Sequence, residues 1–148
     1  MAKAFSLQSL LDLANRQSDS AAATLGKLGA EHARMEATLR LLLQYRDEYR
    51  ERFRVAGAHS MDSMAWRNFH EFMLKLDKAI DEQRIAVARA TRDILDGRGA
   101  WRSSQIKVKA YDTLAQRFHT QSAHKEARRE SRDADELAGL RTRRRAYH

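Results

Sequence analysis

The sequence predicts an all-α protein, a long antiparallel two-helix coiled-coil hairpin, on three observations. The chain has 148 residues with no proline, six glycines and 32% charged residues, a composition that favours helix almost throughout. Apolar residues recur in two long stripes at alternating four- and three-residue spacing. Between the stripes, the run V-A-G-A-H-S-M-D-S at residues 55–63 carries a helix stop followed at once by a helix start.

The first arm is expected over about residues 6–56. Ser6 would cap it, with Phe5 packing on Leu10 as a hydrophobic staple. From there the stripe visits Leu7, Leu11, Ala14, Ser18, Ala21, Leu25, Leu28, His32, Met35, Leu39, Leu42, Arg46, Tyr49 and Phe53. Ser18, His32 and Arg46 break it. A period nearer 3.5 than 3.6 over this length is that of a left-handed coiled coil, and polar residues at such positions set register more often than they bind ligands.

The turn is expected at about 57–62. Gly57 can enter the left-handed region without a Cβ penalty, and Arg50, Arg52 and Arg54 place positive charge near unpaired carbonyls. Ser60 would cap the second helix and Asp62 would sit in its first turn.

The second arm is expected over about 63–133. Its stripe is Phe69, Met73, Leu76, Ile80, Gln83, Val87, Ala90, Ile94, Gly97, Trp101, Ser104, Val108, Tyr111, Ala115 and Phe118, broken by Gln83, Gly97 and Ser104. A turn centred near His59 pairs residues whose numbers sum to about 118, so Leu42 would meet Leu76, Leu28 would meet Ala90, and Ala21, Ala22 and Ala23 would lie opposite Gly97 and Gly99. Past Phe118 the stripe falls on Ser122, Lys125, Arg129 and Arg132, so an overhang with no face to bury is expected, then a basic tail over about 134–148 that frays. The whole is read as one domain.

Twenty-eight basic against 20 acidic side chains give a net charge of +8, which directs attention to acidic partners. The mean hydropathy of −0.72 suits a seam between helices better than a layered interior. Cysteine is absent, which excludes disulfides and thiolate metal sites and is compatible with the cytoplasm. No apolar run has the length of a signal peptide or of a membrane span.

Enzyme motifs are not found. Gly26-Lys27 fails as a phosphate loop, because Leu28 stands where Ser or Thr is needed and Ala21 where the first Gly is needed. No two of the six histidines stand at i, i+4 on a helix with an acidic partner, as a metal motif would need. Acids and bases interleave at helical spacing, as on a solvated face. No cofactor is expected.

One region exceeds what a seam requires. Leu41, Leu42, Leu43 and Tyr45 widen the apolar face of the first arm, and Trp66, Phe69, Phe72 and Met73 widen that of the second. Tyr45 and Phe72 lie off the strict heptad and should be partly exposed. Such aromatics point to a protein-binding patch, the alternative being a dimer or a locally thicker core that covers them.

Four blocks carry a family resemblance: F-S-L-Q-S-L-L-D-L-A-N-R from residue 5, L-L-L-Q-Y-R-D-E-Y-R-E-R-F from 41, N-F-H-E-F-M-L-K-L-D-K-A-I-D-E-Q-R from 68, and K-A-Y-D-T-L-A-Q-R from 109 with a basic helix after it. In this order and spacing the chain resembles the flagellar export family FliJ. The resemblance implies a non-enzymatic cytoplasmic component of the type III export apparatus, peripheral at the inner membrane. It further implies a stalk-like coiled coil that enters and activates the hexameric ring of the export ATPase, links it to the transmembrane export gate and escorts substrate chaperones. The family's gate-binding surface carries over to Leu42, Tyr45, Tyr49, Phe72, Leu76 and Ala79, with Gln83 at its edge. Arg117, Arg128, Arg129 and Arg132 are the candidates for ring contact.

Two other classes compete. A basic helical protein could grip nucleic-acid phosphates, but Glu126, Glu130, Asp133, Asp135 and Glu136 dilute the charge, and no aromatics interleave with the basic C-terminal cluster. A coiled-coil spacer would have no use for uncovered aromatics. Specific nucleic-acid binding and membrane insertion are therefore not expected.

Overall fold

With no proline to interrupt the backbone ladder, the chain forms two helices, α1 over Ala2–Ala56 and α2 over Ser63–Ala146, paired as an antiparallel hairpin. The computed structural model describes residues 2–57 and 62–147. Among them there is no strand.

The stop and the restart have separate causes. Gly57 takes φ 75°, and its N–H donates to the Phe53 carbonyl at 3.2 Å, closing the last turn of α1 through a left-handed glycine. Arg54 stands in the last turn of α1. At the restart the cap is Asp62, not a residue before it: its Oδ1 accepts the Ala65 N–H at 2.7 Å and its carbonyl accepts the Trp66 N–H at 3.1 Å. Asp62 thus stands just outside the first turn where the sequence reading put it, and the expected cap Ser60 lies outside the described residues. At the other terminus α1 begins at Ala2, so Ser6 is a helical residue and not a cap. The Phe5 side chain, half of the expected staple, also lies outside what is described.

The chain divides into two units, one of Met1–Ser18 with Ser103–His148 and one of Asp19–Arg102. In the second, Met73, Leu76 and Ile80 are buried, Ile80 to 1% exposure. Leu39, Leu42, Leu43, Tyr49 and Phe69 pack against them. Every stripe position of α1 in this unit is at least half-buried, and so is every α2 position from Phe69 to Gly97.

The pairing register differs from the expected one. Tyr49 stacks on Phe72 and Phe53 on Phe69, while Gly97 faces Leu25 and Leu28, so facing numbers sum to about 122. The shift is roughly one helical turn. The Leu28 side chain therefore reaches over Gly97, and the large side chain opposite glycine is Leu, not the alanine run.

The polar breaks in the stripes are answered across the hairpin. Gln83 donates from Nε2 to the Met35 carbonyl at 2.9 Å. His32 Nε2 lies 3.0 Å from Thr91 Oγ1. That hydroxyl donates its proton to the Val87 carbonyl at 3.0 Å, so the imidazole is the donor in the pair. Arg46 reaches Asp77 at 3.8 Å, while its Nε is buried without a partner, a cost to the seam.

In the first unit, Ala14, Ser18 and Ala115 are buried, with Leu7, Leu11, Val108, Tyr111 and Phe118 half-buried around them. Gln105 Nε2 donates to Ser18 Oγ at 2.6 Å, again answering a polar break. Beyond Phe118 every described side chain except Ser122 is exposed, because α2 runs on after α1 has no residues left to face it. The helix persists to Ala146, through the segment expected to fray.

Candidate partner-binding site

The candidate surface belongs to the Asp19–Arg102 unit. Core leucines and methionine fix the backbones of both helices, and the residues just off the seam are left at its edge. Tyr49 and Phe72 lie across the hairpin from each other with ring centroids 4.4 Å apart and planes 30° apart. Phe53 and Phe69, one turn nearer the end of α1, stack at 4.2 Å and 14°. Arg52 places its guanidinium 5.6 Å from the Tyr49 ring, within cation–π range.

The six carried-over residues divide by depth. Leu76 is buried and belongs to the core itself, and Leu42 and Tyr49 pack against that core. Ala79 is half-buried. Phe72 is 40% and Tyr45 47% exposed, so these two carry the accessible area, on a foundation made by the others. Phe72 is nevertheless braced by Tyr49. Tyr45 is the freer side chain. Gln83, at the edge, has its amide committed to Met35.

Leu41 and Trp66 are also exposed, and the Trp66 indole lies parallel to the His70 ring at 5.1 Å. The Trp66–His70 pair was legible as an i, i+4 spacing, but only Trp66 was singled out, for its apolar area. Below the turn, Arg54 forks onto Glu51 at 2.6 and 3.1 Å. That contact holds the Glu51 carboxyl below its ordinary range and raises the Arg54 guanidinium.

The arginines considered for ring contact, Arg117, Arg128, Arg129 and Arg132, all lie in the other unit and are all exposed. They stand at turn spacing on α2. Among the described residues none of them forms an ion pair, and their charge is directed at solvent. Among the described residues no cluster of three His, Cys, Asp or Glu could hold a metal ion, and no helix is long and apolar enough to cross a membrane.

Comparison with known proteins agrees with the sequence resemblance along nearly the whole chain. A relative from Salmonella typhi described as "Flagellar FliJ protein" is 29% identical over 138 residues, covering 93% of this chain and 94% of the relative. One of the same description from Escherichia coli (strain K12) is also 29% identical over 138 residues with the same coverage. The model of the family described as "Flagellar FliJ protein" matches residues 3–147. A match of that extent, on a hairpin whose heptad positions face inward as the four blocks require, places the chain in a family: it belongs to the flagellar FliJ proteins.

Proposed function

We propose that this component of the flagellar export apparatus is a non-enzymatic coupling element, touching the export ATPase ring through one unit and the transmembrane export gate through the other. The observation that carries the reading is the aromatic surface of the Asp19–Arg102 unit. Tyr45 and Phe72 are exposed there over a core that holds them in place, and rigid aromatics over a packed base give contact area at low entropy cost. Leu42, Tyr49, Leu76 and Ala79 shape that surface from beneath.

Ring contact is assigned to Arg117, Arg128, Arg129 and Arg132. A coiled coil held inside a ring meets it best through charged, solvated sides, because deep apolar contact would lock the two together. Raising ATPase turnover follows from mass action, since a chain that binds the assembled ring and not its subunits favours assembly. Escort of export chaperones, and a place at the cytoplasmic face of the inner membrane, complete the proposal.

The test is a binding measurement with the purified gate protein and the purified ATPase. Tyr45→Ala weakens gate binding by about 1–3 kcal/mol, the range of an aromatic anchor, and leaves ATPase stimulation intact. Unchanged gate affinity in Tyr45→Ala and Phe72→Ala together would remove the assignment of the gate surface.

A further inference from the structure

The last turns of α2 combine charge and apolar exposure in a way the coiled coil does not require. Leu137 and Leu140 are 59% and 57% exposed and Tyr147 is 90% exposed. Residues 137–147 form L-A-G-L-R-T-R-R-R-A-Y, with four arginines and no acid. The helical ladder is kept through Tyr147, whose N–H donates to the Arg143 carbonyl at 3.2 Å.

At 100° per residue, Leu137, Leu140, Arg144 and Tyr147 fall on one face, with Arg141 and Arg143 on its two edges. The opposite face carries Asp135, Gly139, Thr142 and Ala146. The apolar side thus carries Arg144 with Arg141 and Arg143 at its edges, Glu136 beside them, while Arg145 stands toward the opposite side. A partner helix prolonging the seam would fit poorly here, because the heptad carried forward from Phe118 falls on Glu136, Gly139 and Arg143. A second copy would set four arginines against four.

We propose that residues 137–147 of α2 dock on the surface of an anionic lipid bilayer, lying in the interface without crossing it. Leu137, Leu140 and the Tyr147 ring enter the boundary between headgroups and acyl chains, and the arginines extend their stems along the helix so that the guanidinium groups meet lipid phosphates. The arrangement is that of a short interfacial helix with a basic cluster, in which charge supplies most of the attraction and the apolar side chains supply the choice of a bilayer over other polyanions. It is independent of the ring and gate assignments.

The experiment uses the full-length chain and sedimentation with vesicles of phosphatidylcholine containing phosphatidylglycerol, beside vesicles of phosphatidylcholine alone. Binding is expected to the first, to fall as salt rises, and to be absent from the second. Each arginine contributes about fivefold to partitioning at such a surface, so replacing Arg141, Arg143, Arg144 and Arg145 together by Gln should lower it by a few hundredfold. Leu137→Ser with Leu140→Ser keeps the charge and should lower it by about tenfold, while binding to a DNA duplex in the same buffer stays as it was. These side chains are exposed and lie outside the buried seam, so circular dichroism should report an intact hairpin in both variants. Absence of binding to the anionic vesicles, or retention of it in the arginine variant, would overturn the proposal. So would equal vesicle binding with and without the two leucines, which would reduce the segment to a general attractor of polyanions.

Discussion

Gly97 tests the close approach of the two helices more sharply than any large core residue. A Cβ built there would stand 2.9 Å from Leu28 Cδ1 and 3.3 Å from Leu25 Cδ1, whereas one built on Gly99 meets nothing within 4 Å. Both glycines lie in the body of α2, so replacing either by Ala gains about 1 kcal/mol of helix propensity. At Gly99 that gain is the whole effect. At Gly97 it is offset by the displacement of Leu28, and overpacking of this kind costs about 1–3 kcal/mol. The displaced atom is the end of a flexible side chain, which favours the low end of the range. Gly99→Ala should therefore raise stability by about 1 kcal/mol, while Gly97→Ala should lie between neutral and about 2 kcal/mol destabilising. Urea titration followed by circular dichroism reads the difference, with the slope checked for constancy. If the two variants gain equally, Leu25 and Leu28 do not fill the space over Gly97, and the register derived from that contact is wrong.

The remaining expectations are shorter to state. Cysteines at Leu25 and Gly97, whose numbers sum to 122, should oxidise to an intramolecular disulfide more readily than cysteines at Leu25 and Asp93, the pair of the register expected from sequence, which is offset by four residues or about 6 Å of helix; the converse pattern on a non-reducing gel would restore that register. Ile80→Ala should cost about 2–5 kcal/mol, measured by the same titration, and a smaller loss would mean that the core does not close around it. Tyr45→Ala should leave the melting temperature unchanged, but Phe72→Ala should lower stability by about 0.5–1.5 kcal/mol through the lost stack on Tyr49, and equal melting temperatures would contradict that stack. The Glu51 carboxyl is held low by Arg54, so its contribution is present above the carboxylate's unfolded pKa and is lost as pH falls through the lower folded one. Because both groups are exposed, Glu51→Gln should not shift an acid-melting curve measurably.

How much of this was legible beforehand follows from what a heptad encodes. It specifies which face is turned inward, and from Leu7 to Phe53 each such residue is half-buried or buried. It does not encode axial offset. The helices end and restart where expected, at Ala56 and Ser63, yet the facing pairs stand about one turn from where a turn centred near His59 would put them. Polar breaks were visible as exceptions, and Gln83 to Met35 fits the expected sum of 118, but Ser18 to Gln105, whose numbers sum to 123, depends on the offset. At the candidate site, the surplus of aromatics was legible because two helices cannot hide it. That Phe72 would lean on Tyr49 was not, since stacking across the hairpin is again a matter of offset.

The polar breaks also bear on how a simple hairpin can serve as a coupling element. An uninterrupted apolar seam could slide by a heptad at little cost, since every layer resembles the next. Here Gln83 is bound to a backbone carbonyl, His32 to a hydroxyl and Gly97 to the volume of Leu28, and a slip would break all three at once. Arg46 keeps an unpartnered buried Nε in the same seam, so stability is surrendered where register is secured. The aromatic surface lies on the helices so fixed, and Tyr49 and Phe72 come from opposite arms of it. Their pairing exists in one offset only. A partner that reads both rings therefore reads the register, and a hairpin assembled out of step would present Tyr49 without Phe72.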